Sequence, residues 1–95
     1  MTNALKVLQQ RRLEEIGQYL RQIREERQLK LRRISHATKL KLADLHALEA
    51  GSLKELPPAP EVKNLIKLYA DALNLNGQEL ATTFPIEKDE ILLSQ

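Results

Sequence analysis

Residues 30–51 of this chain read KLRRISHATKLKLADLHALEAG, and this stretch decides the fold. Its pattern predicts two short helices, at residues 31–38 and 41–50, joined by a tight corner. Ser35 is small where the second helix must approach, and Gly51 suits the left-handed conformation that often follows a helix. Apolar side chains recur where two crossed helices would bury them, at Leu31, Ile34, Leu40, Leu45 and Leu48.

Two short helices joined in this way are the layout of a helix-turn-helix, whose second helix commonly enters the major groove of DNA. The polar positions favour a polyanion as the partner, because residues 30–41 contain five Lys or Arg residues and no Asp or Glu. On this hypothesis the first helix and the turn contact phosphates, and the second helix contacts bases. The predicted DNA-binding residues are Lys30, Arg32, Arg33, Lys39, Lys41, Leu42 and His46.

The second helix offers few groups that read bases. Lys41 and His46 can donate hydrogen bonds to a base or a phosphate, and Leu42 can contact a thymine methyl group. The alternative for His46 is a solvated surface histidine. Because Arg, Asn and Gln are absent from the outward face, we expect modest base specificity. That face is expected to present Lys41, Leu42, Ala43, Asp44, His46 and Ala47.

The charge of the chain is divided between its two halves. Residues 1–42 carry eleven Lys or Arg against four Asp or Glu, a balance of +7, and residues 43–95 carry four against nine, a balance of −5. A basic half that contains the helix-turn-helix favours DNA binding. The alternative is a surface charged only for solubility. In that case the cations of helix two, Arg32 and Arg33, would pair with Glu25, Glu26 or the acidic half.

Length and composition indicate one small domain without catalytic chemistry. The chain has 95 residues and no cysteine, which excludes disulfides and thiolate metal sites. It has no apolar run long enough to span a bilayer and no N-terminal signal pattern, so we expect a cytoplasmic location. A glycine-rich phosphate loop is absent, and His36 and His46 fall on different predicted helices. We therefore predict no catalytic residue, no metal site, no cofactor and no enzymatic activity.

The sequence predicts an all-α fold of five helices, because Leu, Ala, Lys, Arg, Glu and Gln dominate and β-branched runs are absent. Helix one is expected to run from a cap at Thr2 or Asn3 to about residue 28. Helix four is expected over residues 60–73. A capping box at Asn76 should start helix five, which ends near residue 83.

We expect three segments along the chain. Residues 1–12 form an N-terminal extension, which either continues helix one or is a frayed basic arm. Residues 13–84 form the helix-turn-helix domain, and residues 85–95 form a flexible acidic tail or linker. Gly17 lies within helix one, where glycine is unfavourable by about 1 kcal/mol relative to alanine, so we expect another helix to approach closely there.

Residues 17–60, GQYLRQIREERQLKLRRISHATKLKLADLHALEAGSLKELPPAP, and residues 64–85, NLIKLYADALNLNGQELATTFP, resemble a known family. They look like the cytoplasmic helix-turn-helix domain of RodZ-type proteins and, more broadly, the five-helix fold of the lambda-repressor and XRE class. The resemblance covers residues 13–84. It depends on an ordered set of motifs: Tyr19-Leu20-Arg21, residues 34–38, Leu48-Glu49-x-Gly51, Leu56-Pro57 and Leu68-Tyr69-Ala70.

The resemblance implies two alternative partners. Repressor-class relatives bind double-stranded DNA, usually as dimers, so this chain would be a transcription regulator whose N-terminal extension supplies a homodimer interface. RodZ-type proteins bind the actin-like filament protein MreB and continue into a linker and one membrane-spanning helix. On that alternative the chain is either a soluble relative of these cell-shape adaptors or a fragment of one, cut before the span. Its filament-binding residues on helix four would be Lys63, Leu65, Lys67 and Tyr69.

Two departures from the RodZ pattern favour DNA over a filament as the partner. Helix two is usually acidic in that pattern, but here it carries Arg32 and Arg33. The filament-binding helix usually has two aromatic residues one turn apart, but here Leu65 stands at the first position and only Tyr69 remains. Tyr69 also has a purely structural alternative, because an aromatic residue at helical spacing on an apolar face is commonly part of the core.

Overall fold

Five α-helices and one short 3-10 turn make up the regular structure of residues 3–86, the part of the chain that the computed structural model describes. No strand occurs in this range, and the predicted all-α, five-helix fold is confirmed. The helices are α1 (Ala4–Glu26), α2 (Leu31–Thr38), α3 (Leu42–Ala50), α4 (Ala59–Ala72) and α5 (Gly77–Thr82), with the 3-10 turn at Leu53–Glu55.

The first helix begins at the predicted cap and continues through the N-terminal extension. The Asn3 side chain accepts hydrogen bonds from the backbone N–H groups of Leu5 and Lys6. Residues 4–12 are therefore helical and not a frayed arm. Two glutamine amides hold this end against the rest of the fold: Gln9 Nε2 donates to the carbonyl of Pro85 at 2.9 Å, and Gln10 Nε2 donates to that of Gly51 at 2.6 Å.

The predicted close approach at Gly17 is confirmed. A Cβ atom on Gly17 would lie 2.1 Å from the carbonyl oxygen of Leu48, so the backbones of α1 and α3 meet at this point. The expected left-handed residue after α3 is also present, because Gly51 has φ 66°. Together these two glycines allow α3 to lie directly on α1.

The core lies between all five helices. Leu40, which the sequence pattern assigned to a buried position, packs against it but stays half-buried. Asn76 caps α5 by accepting from the Glu79 N–H at 3.1 Å, as the predicted capping box requires. The buried apolar residues of the cluster are Leu13, Ile16, Leu20, Leu31, Ile34, Leu45, Leu48, Val62, Leu65, Ile66, Tyr69, Ala70, Leu73, Ala81 and Phe84.

The described part of the chain ends at Ile86, which packs against the core. Most of the predicted acidic tail, residues 87–95, lies outside the described residues, as do residues 1 and 2. Within residues 3–86 no helix combines the length and the apolar character needed to cross a membrane.

Candidate nucleic-acid interface

A three-residue turn at positions 39–41 joins α2 to α3, and short side chains fix its path. Thr38 Oγ1 donates to the carbonyl of Ile34 and accepts from the Leu40 N–H, while Ser35 Oγ donates to the Leu40 carbonyl at 2.7 Å. Lys39 ends α2 in the left-handed conformation, with φ 62°. Ser35 therefore does more than leave room for the second helix, because its hydroxyl also donates a hydrogen bond to a carbonyl of the turn.

The predicted phosphate-binding cations are all solvent-exposed, as are both histidines. Among residues 3–86, none of these cations forms an ion pair with an acidic side chain. The pairing considered for helix two is not observed: Glu25 is paired with Arg21 at 2.6 Å, and Glu26 accepts from Gln22. The charge of the predicted phosphate-binding cations is therefore available to an external anion. The exposed residues are Lys30, Arg32, Arg33, His36, Lys39, Lys41 and His46.

A lysine stands directly before each helix of the motif. Lys30 is the N-cap of α2 and Lys41 the N-cap of α3, and neither makes a side-chain capping hydrogen bond. A lysine has no acceptor for the free N–H groups of the first turn, and its positive charge repels the positive end of the helix dipole. An anion placed at either helix start would relieve both effects.

The outward face of α3 is narrower than the sequence predicted. Ala47, expected to point outward, is 3% exposed and belongs to the core, so that expectation was wrong. Leu42 is half-buried and packs against the core cluster, which leaves only part of its side chain for a contact. Ala43 and His46 are exposed on this helix. The part of α3 that could contact bases is therefore short. Beyond the first turn of this helix it carries one exposed hydrogen-bonding side chain, His46.

A buried polar cluster holds α3 in place behind this surface. Arg24 of α1 forms a two-pronged pair with Glu49 of α3, with Nε to Oε2 at 2.7 Å and Nη2 to Oε1 at 3.0 Å. The hydroxyl of Tyr69 on α4 donates to the same Glu49 Oε2, and Arg24 also donates to the Leu29 carbonyl. The Arg24 and Glu49 side chains are 14% and 8% exposed. One carboxylate thus connects three helices.

The cluster changes the acidity of its members. Burial of Tyr69, followed by its hydrogen bond to Glu49, raises the pKa of the phenol well above its usual range. The hydrogen bond to Glu49 raises the pKa of Arg24, against the opposing effect of burial. One local signal for this cluster was present, the Leu48-Glu49-x-Gly51 pattern. Carboxylates at helix ends are usually solvated, however, and periodicity cannot show which partner they meet.

The alternative protein-binding surface on α4 is only partly accessible. Leu65 is 6% exposed and Tyr69 is fully buried, so the expectation that they contact a partner at the surface was wrong. Both side chains fill the core because they lie on the apolar face of α4, and the structural alternative for Tyr69 is the correct one. Lys63 and Lys67 are half-buried, and Lys67 Nζ pairs with Asp71 at 2.7 Å.

Five helices, a three-residue turn between α2 and α3, and exposed cations around that turn define a helix-turn-helix domain. The comparison with known families agrees with this class. The family described as "Helix-turn-helix domain" matches residues 19–80, which is 62 of the 95 residues, and the chain belongs to that family. Neither a curated protein nor a solved structure matches the chain significantly.

Proposed function

We propose that this chain is a DNA-binding module of a transcription regulator of the XRE type. In this proposal α3 lies in the major groove, while α2 and the turn contact the phosphates. The observation that carries it is the group of five exposed and unpaired cations at Lys30, Arg32, Arg33, Lys39 and Lys41, placed around two helix starts with no side-chain cap. A surface charged only for solubility would not gather five cations and no acidic residue within residues 30–41, a stretch that opens at the uncapped start of α2.

The proposed base contacts are few. Lys41 and His46 supply the hydrogen-bond donors, and the exposed part of Leu42 or Ala43 supplies an apolar contact for a thymine methyl group. None of these forms the two-pronged contact that Arg, Asn or Gln makes with a single base. We therefore expect strong binding to duplex DNA at low salt and a small preference among sequences.

A gel-shift titration with duplex DNA at two salt concentrations tests this proposal. Reversing both charges of helix two, with Arg32→Glu and Arg33→Glu, should abolish the shift at either salt concentration, because two phosphate contacts become repulsions. The matched control reverses two exposed cations of α1, Lys6→Glu and Arg11→Glu, which changes the net charge equally. The proposal fails if DNA does not bind at low salt, or if both double variants weaken binding to the same degree.

The alternative proposal is an adaptor for an actin-like filament of the MreB type, which only the resemblance to RodZ-type domains favours. It needs a surface that does not use the buried side chains of α4, for example one around Lys63. Co-sedimentation of the full chain with MreB filaments, performed with a Lys63→Glu variant beside it, tests this alternative. Sedimentation without any DNA binding would favour the adaptor, and DNA binding without sedimentation would remove it.

A further inference from the structure

An open groove lies between the N-terminal half of α1 and the loop that leads to α4. Its volume of about 1010 Å³ is at the upper limit of the roughly 300–1,000 Å³ of ligand sites in proteins, so it has room for several side chains. On the α1 wall, Val7 is 43% exposed. The opposite wall is apolar and consists of Leu53, Leu56, Pro57, Pro58 and Ala59. Exposed apolar side chains that face each other across a groove mark a surface on which another segment can pack.

The rim of this groove is basic. Lys6 and Arg11 on α1 and Lys54 in the 3-10 turn line it, and all three are exposed. None of them forms an ion pair with an acidic side chain among residues 3–86. Glu14 also lines the groove, but its carboxylate already accepts a hydrogen bond from a glutamine of α1. A ligand that fits this groove should therefore combine aliphatic side chains with negative charge.

The chain carries a segment of this chemistry, and the described fold ends beside the groove. Gln9 lines the groove and donates from Nε2 to the carbonyl of Pro85 at 2.9 Å, and Ile86 follows as the last described residue. The sequence then continues over residues 87–95 as EKDEILLSQ. This C-terminal segment has three acidic side chains and one basic one, followed by three consecutive aliphatic residues.

The C-terminal segment is long enough to follow the groove. Along its α1 wall the groove extends from Asn3 to Glu14, which is about 17 Å at 1.5 Å per residue. Nine residues in an extended conformation reach about 30 Å from Ile86. Because the segment is covalently attached next to the groove, its effective concentration there is on the order of millimolar, so even weak contacts would keep the groove occupied.

We propose that residues 87–95 bind in the groove of their own chain, with the aliphatic residues 91–93 on the apolar wall and the carboxylates beside the basic rim. The competing surface in the same chain is the helix-turn-helix at residues 30–41, which carries five cations. The groove is favoured because it offers charge and an apolar wall together, whereas Leu31 and Ile34 of the motif are buried. The proposed contact does not depend on DNA, and its test contains none.

Paramagnetic relaxation enhancement in the full chain tests where the C-terminal segment binds. The chain has no cysteine, so Ser94→Cys supplies a single site for a nitroxide label. We expect the backbone N–H signals of Val7, Arg11 and Lys54 to broaden most. The same pattern should persist when isotope-labelled, spin-labelled chains are diluted with an excess of unlabelled chains. Strongest broadening at residues 30–41, uniform broadening, or loss of the effect on dilution would overturn the proposal.

Charge reversal at the rim separates the groove from the motif. In the spin-labelled chain, Lys6→Glu with Arg11→Glu should reduce the broadening at Val7 to about half or less, because the acidic segment is then repelled. The matched control is Arg32→Glu with Arg33→Glu, which changes the net charge equally and should leave the broadening at Val7 unchanged. Equal effects of the two double variants would contradict the proposal.

The aliphatic half of the segment is tested by Leu92→Ser with Leu93→Ser in the same spin-labelled chain. Loss of two apolar contacts should also reduce the broadening at Val7 and Lys54 to about half or less. Unchanged broadening would show that the segment does not pack on the apolar wall and would contradict the proposal. Circular dichroism confirms that each variant is folded.

Discussion

At the scale of single residues, Glu49 joins the recognition helix to the body of the domain. Its two carboxylate oxygens accept from Arg24 on α1 and from Tyr69 on α4, so all three partners depend on one another. A buried ion pair is weak evidence for stability in itself, because desolvation offsets much of the attraction. Removing one partner is strongly destabilising, since it leaves the other polar groups buried without a hydrogen-bond or charge partner.

We predict that Glu49→Ala lowers the free energy of unfolding by about 3 kcal/mol, because the Arg24 charge and the Tyr69 hydroxyl lose their acceptor. Urea denaturation followed by circular dichroism measures the change. Glu25→Ala is the control: it removes an ion pair with Arg21 whose side chains are 60% and 54% exposed, and it should change stability by less than about 1 kcal/mol. Equal losses in the two variants would show that the buried cluster adds nothing beyond a surface pair.

The raised pKa of Tyr69 predicts a loss of stability in alkaline solution. An unfolded tyrosine ionises near pH 10, whereas burial and the bond to Glu49 keep the folded phenol protonated at higher pH. The folded chain therefore holds the proton that the unfolded chain releases, and the contribution of this group falls as the pH rises above about 10. In Tyr69→Phe this part of the decline should disappear. The urea unfolding midpoints of the wild type and of Tyr69→Phe, measured between pH 7 and 11, test this prediction. Parallel curves of midpoint against pH would contradict it.

At the scale of helices, the packing of α1 on α3 sets the position of the motif. The two backbones approach so closely at Gly17 that a methyl group there would overlap the Leu48 carbonyl. The buried cluster of Arg24 and Glu49 makes a second contact between the same two helices about two turns further along α1. Both contacts reach α3 at Leu48 and Glu49, so together they hold the C-terminal end of α3 against α1.

We predict that Gly17→Ala destabilises the domain by about 2 kcal/mol, although alanine favours a helix by about 1 kcal/mol over glycine. The added Cβ would lie 2.1 Å from a backbone oxygen, which cannot move without shifting α3. Gln18→Ala, at the exposed neighbouring position, should stay within about 0.5 kcal/mol of the wild type. Thermal and urea unfolding give both values. A Gly17→Ala protein as stable as the wild type would mean that the two helices are not in contact.

The helices could be predicted from sequence more completely than the contacts between them. Helix α2 occupies the predicted residues 31–38 because its apolar spacing and flanking polar residues are local signals. The fate of the N-terminal extension could not be predicted, since Gln9 and Gln10 look like polar interruptions until their long-range bonds are known. Ala47 was placed on the wrong face because alanine is common on both faces of a helix.

The charges of the candidate site could be predicted from the sequence, but the buried contacts that hold α3 in place could not. The exposed cations from Lys30 to Lys41 could be read from the chain, because residues 30–41 contain no acidic residue and Lys and Arg are rarely buried without a partner. The link from Glu49 to Tyr69 spans twenty residues, and Arg24 lies a further twenty-five residues away in the other direction. Such contacts depend on how the helices cross, which the spacing of apolar residues does not specify.

At the scale of the whole molecule, the charge of the chain is divided between two halves of its sequence. The basic half contains α1, α2 and the turn, and the acidic half contains most of α3, all of α4 and all of α5. A polyanion would be attracted to the side that carries the start of α2 and the turn. Cations elsewhere on the described surface, such as Lys54 in the 3-10 turn, lie outside the motif and provide a test of where DNA binds.

The salt dependence of DNA binding should report the number of cations that contact phosphate. If the five cations of residues 30–41 each neutralise one phosphate, the logarithm of the binding constant per domain should fall with the logarithm of the salt concentration with a slope of about −4.5. Fluorescence anisotropy with a duplex long enough for one domain, titrated at several salt concentrations, measures this slope. Lys54→Gln should leave it unchanged.

Lys39→Gly separates DNA affinity from folding. Lys39 is held at φ 62°, where a side chain is strained by roughly 1 kcal/mol and glycine is not, so this variant should be at least as stable as the wild type. It nevertheless removes one phosphate contact, so the slope should become shallower by about 0.9 and the affinity at low salt should fall. A stable Lys39→Gly protein with undiminished affinity and an unchanged slope would exclude Lys39 from the DNA contact, and would leave the cations at the two helix starts and on α2 to hold the phosphates.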